Sequence, residues 1–201
     1  MKQLALLIIT VQISIAAIGQ TNDITLLRHI YSGRDQGLDN SMKFISQTVT
    51  PVSVAVPLCF IVTGLVEKDN MTLNNGYRST LALAGAMTIS YTLKLSIDRT
   101  RPYDKYPDII PYMDDFTSSL PSGHTTAAFA TATTLTMIKP EWYVIIPSYA
   151  YAVTVAYSRM HLGMHYPTDI LAGALIGSGC SFLSFKLNRL LQNNALYRRS
   201  K

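Results

Sequence analysis

The chain has 201 residues, of which 48% are hydrophobic and only 14% charged, with a mean hydropathy of +0.20, whereas soluble domains carry about 25% charge. This balance excludes an ordinary highly charged soluble domain and favours a helical membrane protein, and the length suits one domain. The net charge of +5 is no nucleic-acid signal, because the basic residues are divided between the C-terminal tail and two internal segments and form no continuous stripe.

The N-terminal stretch "MKQLALLIITVQISIAAIGQ" has one lysine, a long apolar run and then small residues, the layout of a secretory signal. Cleavage after Gly19 fits, with Ala17 and Gly19 as the small residues, although the run is also long enough to stay as an anchor. Residues 1–19 are therefore expected to be a signal peptide or N-terminal anchor and residues 20–201 a single domain, with the chain after residue 19 starting outside the cytoplasm. Next, Ile24, Leu27, Ile30, Tyr31, Leu38, Met42 and Ile45 recur at helical spacing. An interfacial helical segment on the outer leaflet fits this pattern, and ordinary core packing explains it nearly as well.

Five later stretches, 44–66, 79–93, 125–138, 142–158 and 170–185, contain no Asp, Glu, Lys or Arg. Several fall short of the roughly 20 residues that cross a bilayer, so each alone would suit a buried helix of a secreted all-helical domain. Their succession predicts an all-α, polytopic transmembrane bundle of five core hydrophobic helices plus the N-terminal segment. By alternation the chain crosses inward near 51–66, outward near 79–95, inward near 124–138, outward near 142–157 and inward near 169–186. The tail "KLNRLLQNNALYRRSK", with five basic residues and no acid, suits a cytoplasmic end. Lys68, Arg78 and Lys139 agree. Segments 94–124 and 158–169 then share the outer side. Cys59 and Cys180 fall in apolar stretches and are expected to be buried thiols.

The first outer segment opens "KLSIDRTRP", with Lys94, Arg99 and Arg101 at the mouth of a helix that Pro102 is expected to stop. One cation there is usually an interface anchor; three in a run ask for more. The segment closes "SLPSGHTTAAFATATTL", which places a helix start near Ser122 whose first N–H groups lack intrahelical partners and make an anion site. Gly123 permits close backbone approach, and His124 sits at the rim. In "SRMHLGMHYPTD", Pro167 favours a loop feeding a new helix at about Thr168. Asp169 in its first turn can accept from one ring nitrogen of His165 and leave the other free to attack. His161 and His165 have the i, i+4 spacing of zinc ligands, but no acid lies between them and Arg159 would repel a cation. No metal is expected, and His161 reads as a local hydrogen-bonding residue. Three cations (Lys94, Arg101 and Arg159), a helix start and two histidines together suit phosphoryl transfer.

"KLSIDRTRP", "PSGH" and "SRMHLGMHYPTD" resemble, in order and at every motif position, the KxxxxxxRP, PSGH and SRxxxxxHxxxD signatures of the type 2 phosphatidic acid phosphatase (PAP2) superfamily. The resemblance implies that His165 attacks phosphorus to form a phosphohistidine and that Asp169 orients it. His124 would protonate the leaving group and later activate water. Lys94, Arg101 and Arg159, with Ser122 and the N–H of Gly123, would hold the phosphoryl oxygens, with neither cofactor nor metal. It further implies a membrane-embedded phosphatase acting on lipid phosphates or pyrophosphates at the periplasmic face of a bacterial inner membrane. The candidate lipids are undecaprenyl pyrophosphate, phosphatidylglycerol phosphate, phosphatidic acid and the phosphates of lipid A. Secreted nonspecific acid phosphatases resemble the same motifs, but the low charge argues against one here; vanadium haloperoxidases share the pocket, but the small size and apolar stretches argue against that reading. A noncatalytic lipid-headgroup binder is a further alternative, though it would have no use for His124, His165 and Asp169 together.

Overall fold

The computed structural model describes residues 22–113, 115 and 117–199; the expected signal or anchor at 1–19 lies outside them. Helix α1 (22–32) and a 3₁₀ turn (Gln36–Leu38) lead into α2 (Asp39–Val66), α3 (Asn70–Ile97), the short α4 (Pro102–Lys105), α5 (Gly123–Ile138), α6 (Trp142–His161) and α7 (Pro167–Arg199). No strand occurs among the described residues. Helices α2, α3, α5, α6 and α7 run alternately up and down, so the C-terminal ends of α3 and α6 meet the N-terminal ends of α2, α5 and α7.

Helix α5 is the hub, packed against α7, α6, α3 and α2. Its sequence explains this position, since a helix made mostly of Thr and Ala can be approached closely from every side. Thr125 to Ala128 and Ala130 to Thr134 are all buried. The hydroxyls among them find partners: Thr133 Oγ1 reaches Ser178 Oγ at 3.1 Å, Thr134 Oγ1 reaches Ser181 Oγ at 3.2 Å, and Ser181 Oγ donates to the Ala130 carbonyl at 2.9 Å. Gly177 is what lets α7 come so near. A Cβ there would stand 2.3 Å from the Thr126 carbonyl oxygen and 2.8 Å from the Ala130 nitrogen.

The outer faces are apolar. Phe44, Leu58 and Val62 on α2, Leu81 and Leu95 on α3, and Leu171, Leu175 and Phe182 on α7 are exposed. An apolar belt of this kind suits lipid rather than water. Length and hydropathy fit three stretches to crossing a bilayer: Gln36–Val66, Asn70–Lys105 and Pro167–Leu190. The protein is a multi-pass membrane protein.

Three expectations change. The apolar series from Ile24 to Ile45 is not one interfacial helix: Ile24 and Leu27 of α1 are buried against Ile109 and Tyr166, while Met42 and Ile45 belong to α2. Pro102 does not stop α3. That helix ends at Asp98, whose left-handed backbone (φ 43°) lets its N–H reach the Lys94 carbonyl, and Pro102 instead opens α4, where proline's fixed φ is favourable. Finally, Cys59 is exposed on the lipid-facing side of α2 and Cys180 is half-buried, both free.

Candidate active site

The candidate residues gather at the end of the bundle where those five helix termini meet. Ser122 caps α5: its hydroxyl accepts from Thr125 N at 3.4 Å and Thr125 Oγ1 at 3.0 Å, and its own N–H donates to the Asp169 carbonyl at 3.1 Å. Its buried hydroxyl thus accepts from the helix and still has its own hydrogen to donate, beside the open amides of Gly123 and His124 at this helix start.

His165 lies in the loop 162–166 between α6 and α7, which turns through Gly163 at φ +70°. Asp169, wholly buried, stands in the first turn of α7. Its Oδ2 accepts from Ser119 Oγ at 2.5 Å and Tyr166 N at 3.0 Å, and faces His165 Nδ1 at 3.5 Å. Its Oδ1 takes a 2.6 Å bond from Arg99 Nη1. The other ring nitrogen, Nε2, stands 3.5 Å from Arg101 Nη1. Burial, above all, holds the imidazole pKa down at about 3; Arg101 and Arg159 act in the same direction, and Asp169 opposes them. The ring is therefore neutral at ordinary pH, with a lone pair available for attack.

The cations differ in how far the protein itself satisfies them. Arg159 is fully buried, with Nη1 donating to Ser46 Oγ at 2.7 Å and no protein partner for Nε or Nη2. Two dry guanidinium nitrogens whose N–H groups lack an acceptor ask for an anion. Arg101 donates to the Thr117 carbonyl (2.7 Å), the Met164 carbonyl (3.1 Å) and Thr117 Oγ1 (3.1 Å), and pairs with Asp115 Oδ2 at 2.6 Å. Lys94 Nζ donates to the Ser118 carbonyl. Burial alone would raise the Asp115 pKa, but Arg101 foremost, then the hydrogen bonds from Thr117, outweigh it and hold the carboxyl below its ordinary value.

Lys94, Asp115, Gly123, His124 and His165 line one cavity of about 240 Å³. Its remaining wall, with Val49, Met87, Tyr91 and Ala127, is largely apolar and comes from α2, α3 and α5. Arg101 borders a neighbouring polar cavity of about 370 Å³ with Asp98, Arg99 and Asp104, divided from the first by Asp115 and Thr117, which face both. Asp169 stands behind His165. His161 turns away, with Nε2 2.8 Å from Asp39 Oδ1. Among the described residues no three His, Cys, Asp or Glu side chains converge as metal ligands.

Motif spacing did not reveal four participants. Ser119 and Asp115 come from the irregular segment between the first two motifs. Arg99 was visible as part of a basic run without a reason of its own. Its buried partner Asp23 lies 76 positions away on α1 and left no local signal.

A family model described as the PAP2 superfamily matches residues 76–192. Among curated proteins, the undecaprenyl-diphosphatase of Sulfolobus acidocaldarius is 33% identical over 129 residues, which span 63% of this chain and 61% of that protein. The undecaprenyl-diphosphatase BcrC of Bacillus subtilis is 27% identical over 82% of each chain. Among solved structures, the transmembrane phosphatidylglycerolphosphate phosphatase of Bacillus subtilis superposes with a TM-score of 0.70 at 25% identity, covering 94% of this chain and 97% of that one. LpxE of Aquifex aeolicus gives 0.69 at 26% identity, covering 82% and 94%.

Proposed function

Because the chain belongs to the PAP2 superfamily, we propose that it is a phosphatase that releases phosphate from a lipid-linked phosphate or diphosphate through attack by His165. Nε2 of His165 forms a bond to phosphorus as the bond from phosphorus to the departing oxygen breaks, and His124, which takes up a proton when the bound phosphate's negative charge offsets the surrounding cations, gives that oxygen its proton. In the second half His124 takes a proton from water, the water oxygen attacks phosphorus, and the N–P bond breaks to free inorganic phosphate and the ring. Asp169 keeps Nδ1 protonated and offsets the positive charge of the phosphorylated ring. Lys94, Arg101, Arg159 and the amide of Gly123 offset charge on the phosphoryl oxygens. Asp115 stands on Arg101 where a phosphoryl oxygen would go, and gives way to it.

One observation carries this reading: a neutral, oriented His165 opens into the same cavity as His124 and Lys94, and the far wall of that cavity is apolar. Such a wall suits the first carbons of a lipid. The named activities of the relatives favour the same substrate class. The outer face of the membrane is proposed for this end of the bundle, because the turn at Lys68, the turn at Lys139 and the basic C-terminal tail belong to the other end.

The test is phosphate release by the purified protein in detergent, with undecaprenyl diphosphate, phosphatidylglycerol phosphate, phosphatidic acid and lipid A as substrates and a soluble monoester as control. At least one lipid should be preferred over the monoester, and His165→Ala should fall to background on all of them. Activity should persist in EDTA, since three fixed cations supply the positive field. Substantial turnover by His165→Ala would remove the nucleophile from this scheme.

A further inference from the structure

We infer that Asp23, on α1 and far in sequence from all three motifs, is a positioning residue for the reaction: it holds Arg99, and Arg99 holds Asp169 in register with His165. The inference rests on the proposed role of His165 as nucleophile. The Asp23 side chain is 1% exposed. It accepts from Arg99 Nη2 at 2.7 Å, from Thr168 N at 2.9 Å and from Thr168 Oγ1. Arg99 Nη1 donates in turn to Thr168 Oγ1 at 2.7 Å and Asp169 Oδ1 at 2.6 Å, and the guanidinium lies 4.0 Å from the centre of the Tyr166 ring. One planar cation therefore bridges two buried carboxylates, with Tyr166 beneath it.

The bridge has a geometric consequence. With Oδ1 of Asp169 held by Arg99 and Oδ2 held by Ser119 and Tyr166 N, the carboxylate keeps one orientation, the one that presents Oδ2 to Nδ1 of His165. It has an electrostatic consequence as well. Arg99 and Asp169 alone would make a neutral pair with little field to offer a ring that becomes cationic when its Nε2 bonds to phosphorus. Asp23 restores one negative charge to the group, in surroundings where charge acts strongly.

A plain staple joining α1 to the start of α7 would use the same bonds, and the two roles separate in kinetics. The full chain carries Asp23→Asn, Arg99→Gln or both, and kcat, KM and thermal unfolding are measured on the best substrate, with His165→Ala as the inactive reference. Asp23→Asn should lower kcat on the order of tenfold, the effect of one charge-assisted hydrogen bond felt in the transition state, with KM within about twofold of the unsubstituted protein. In the Arg99→Gln background, Asp23→Asn should lower kcat by clearly less than it does alone, because the hydrogen-bonded route through Arg99 is cut and only the charge of Asp23 and its bonds to Thr168 remain. Asp23→Glu should recover part of the loss. If Asp23→Asn does not fold, Arg99→Lys takes its place: it keeps the charge but cannot bridge two carboxylates, and it should show the same fall in kcat. An unchanged kcat with only a lower unfolding temperature, or full additivity with Arg99→Gln, would overturn the inference. An active His165→Ala would overturn the underlying reading instead.

Discussion

His124 and His165 stand in one cavity but are held differently. His165 is buried, with Nδ1 3.5 Å from the Asp169 carboxylate, while His124, half-buried on the first turn of α5, lines the same cavity. If His124 is the proton donor, His124→Ala should cost about 10²- to 10⁴-fold with a lipid alcohol as leaving group and much less with nitrophenolate, which departs with little protonation. His165→Ala should lose both substrates alike. The ratio of the two losses, from kcat/KM on each substrate, decides the assignment; equal losses for His124→Ala would refute it. These residues were legible because each belongs to a short contiguous run whose spacing carries its own chemistry. Ser122 was read correctly as a helix start, and its hydroxyl caps that start. The charges that hold Asp169 were hidden, since Asp23 and Arg99 meet only after the chain has folded over 76 positions.

The five charge-free stretches each fall within one of the five long helices, and what they understated was length. Helix α2 begins at Asp39, before the apolar stretch that starts at residue 44, because polar residues at a membrane surface extend a helix as readily as apolar ones do. The end of α3 was misread for a related reason: Asp98, in a left-handed turn that carries no strong sequence mark, closes the helix before Pro102 is reached. The contact between α5 and α7 makes a prediction of its own. Gly177→Ala would drive a methyl group against the backbone of Thr126 and Ala130, and neither can move without separating the helices. It should destabilise the protein by about 1–3 kcal/mol, the usual cost of overpacking a tight core. The measurement is thermal unfolding in detergent, with Gly179→Ala, whose added methyl meets nothing within 4 Å, as the control.

For the molecule as a whole, the proposed orientation follows from which ends of the helices carry which charges. In a background lacking Cys59 and Cys180, a cysteine at Ile110, which is 71% exposed beside the site, should react with a membrane-impermeant thiol reagent in intact spheroplasts. A cysteine at Glu141, in the turn between α5 and α6, should react only after the membrane is opened. The reverse pattern would move the reaction to the cytoplasmic leaflet and leave its chemistry unaltered. The up-and-down alternation needed for this prediction was already present in the order of apolar stretches, whereas the hub position of α5 became visible only when its Thr and Ala residues were found buried on every side. If buried Arg159 holds the phosphoryl group as proposed, its guanidinium draws no distinction between a phosphate still attached to a lipid and one that has been cut free. Whatever attraction its two unpartnered nitrogens add to capture they would also add to retention. Under the proposed reaction, escape of inorganic phosphate would then be a slow step to reckon with, and Asp115, returning to Arg101, would be the group placed to help displace it.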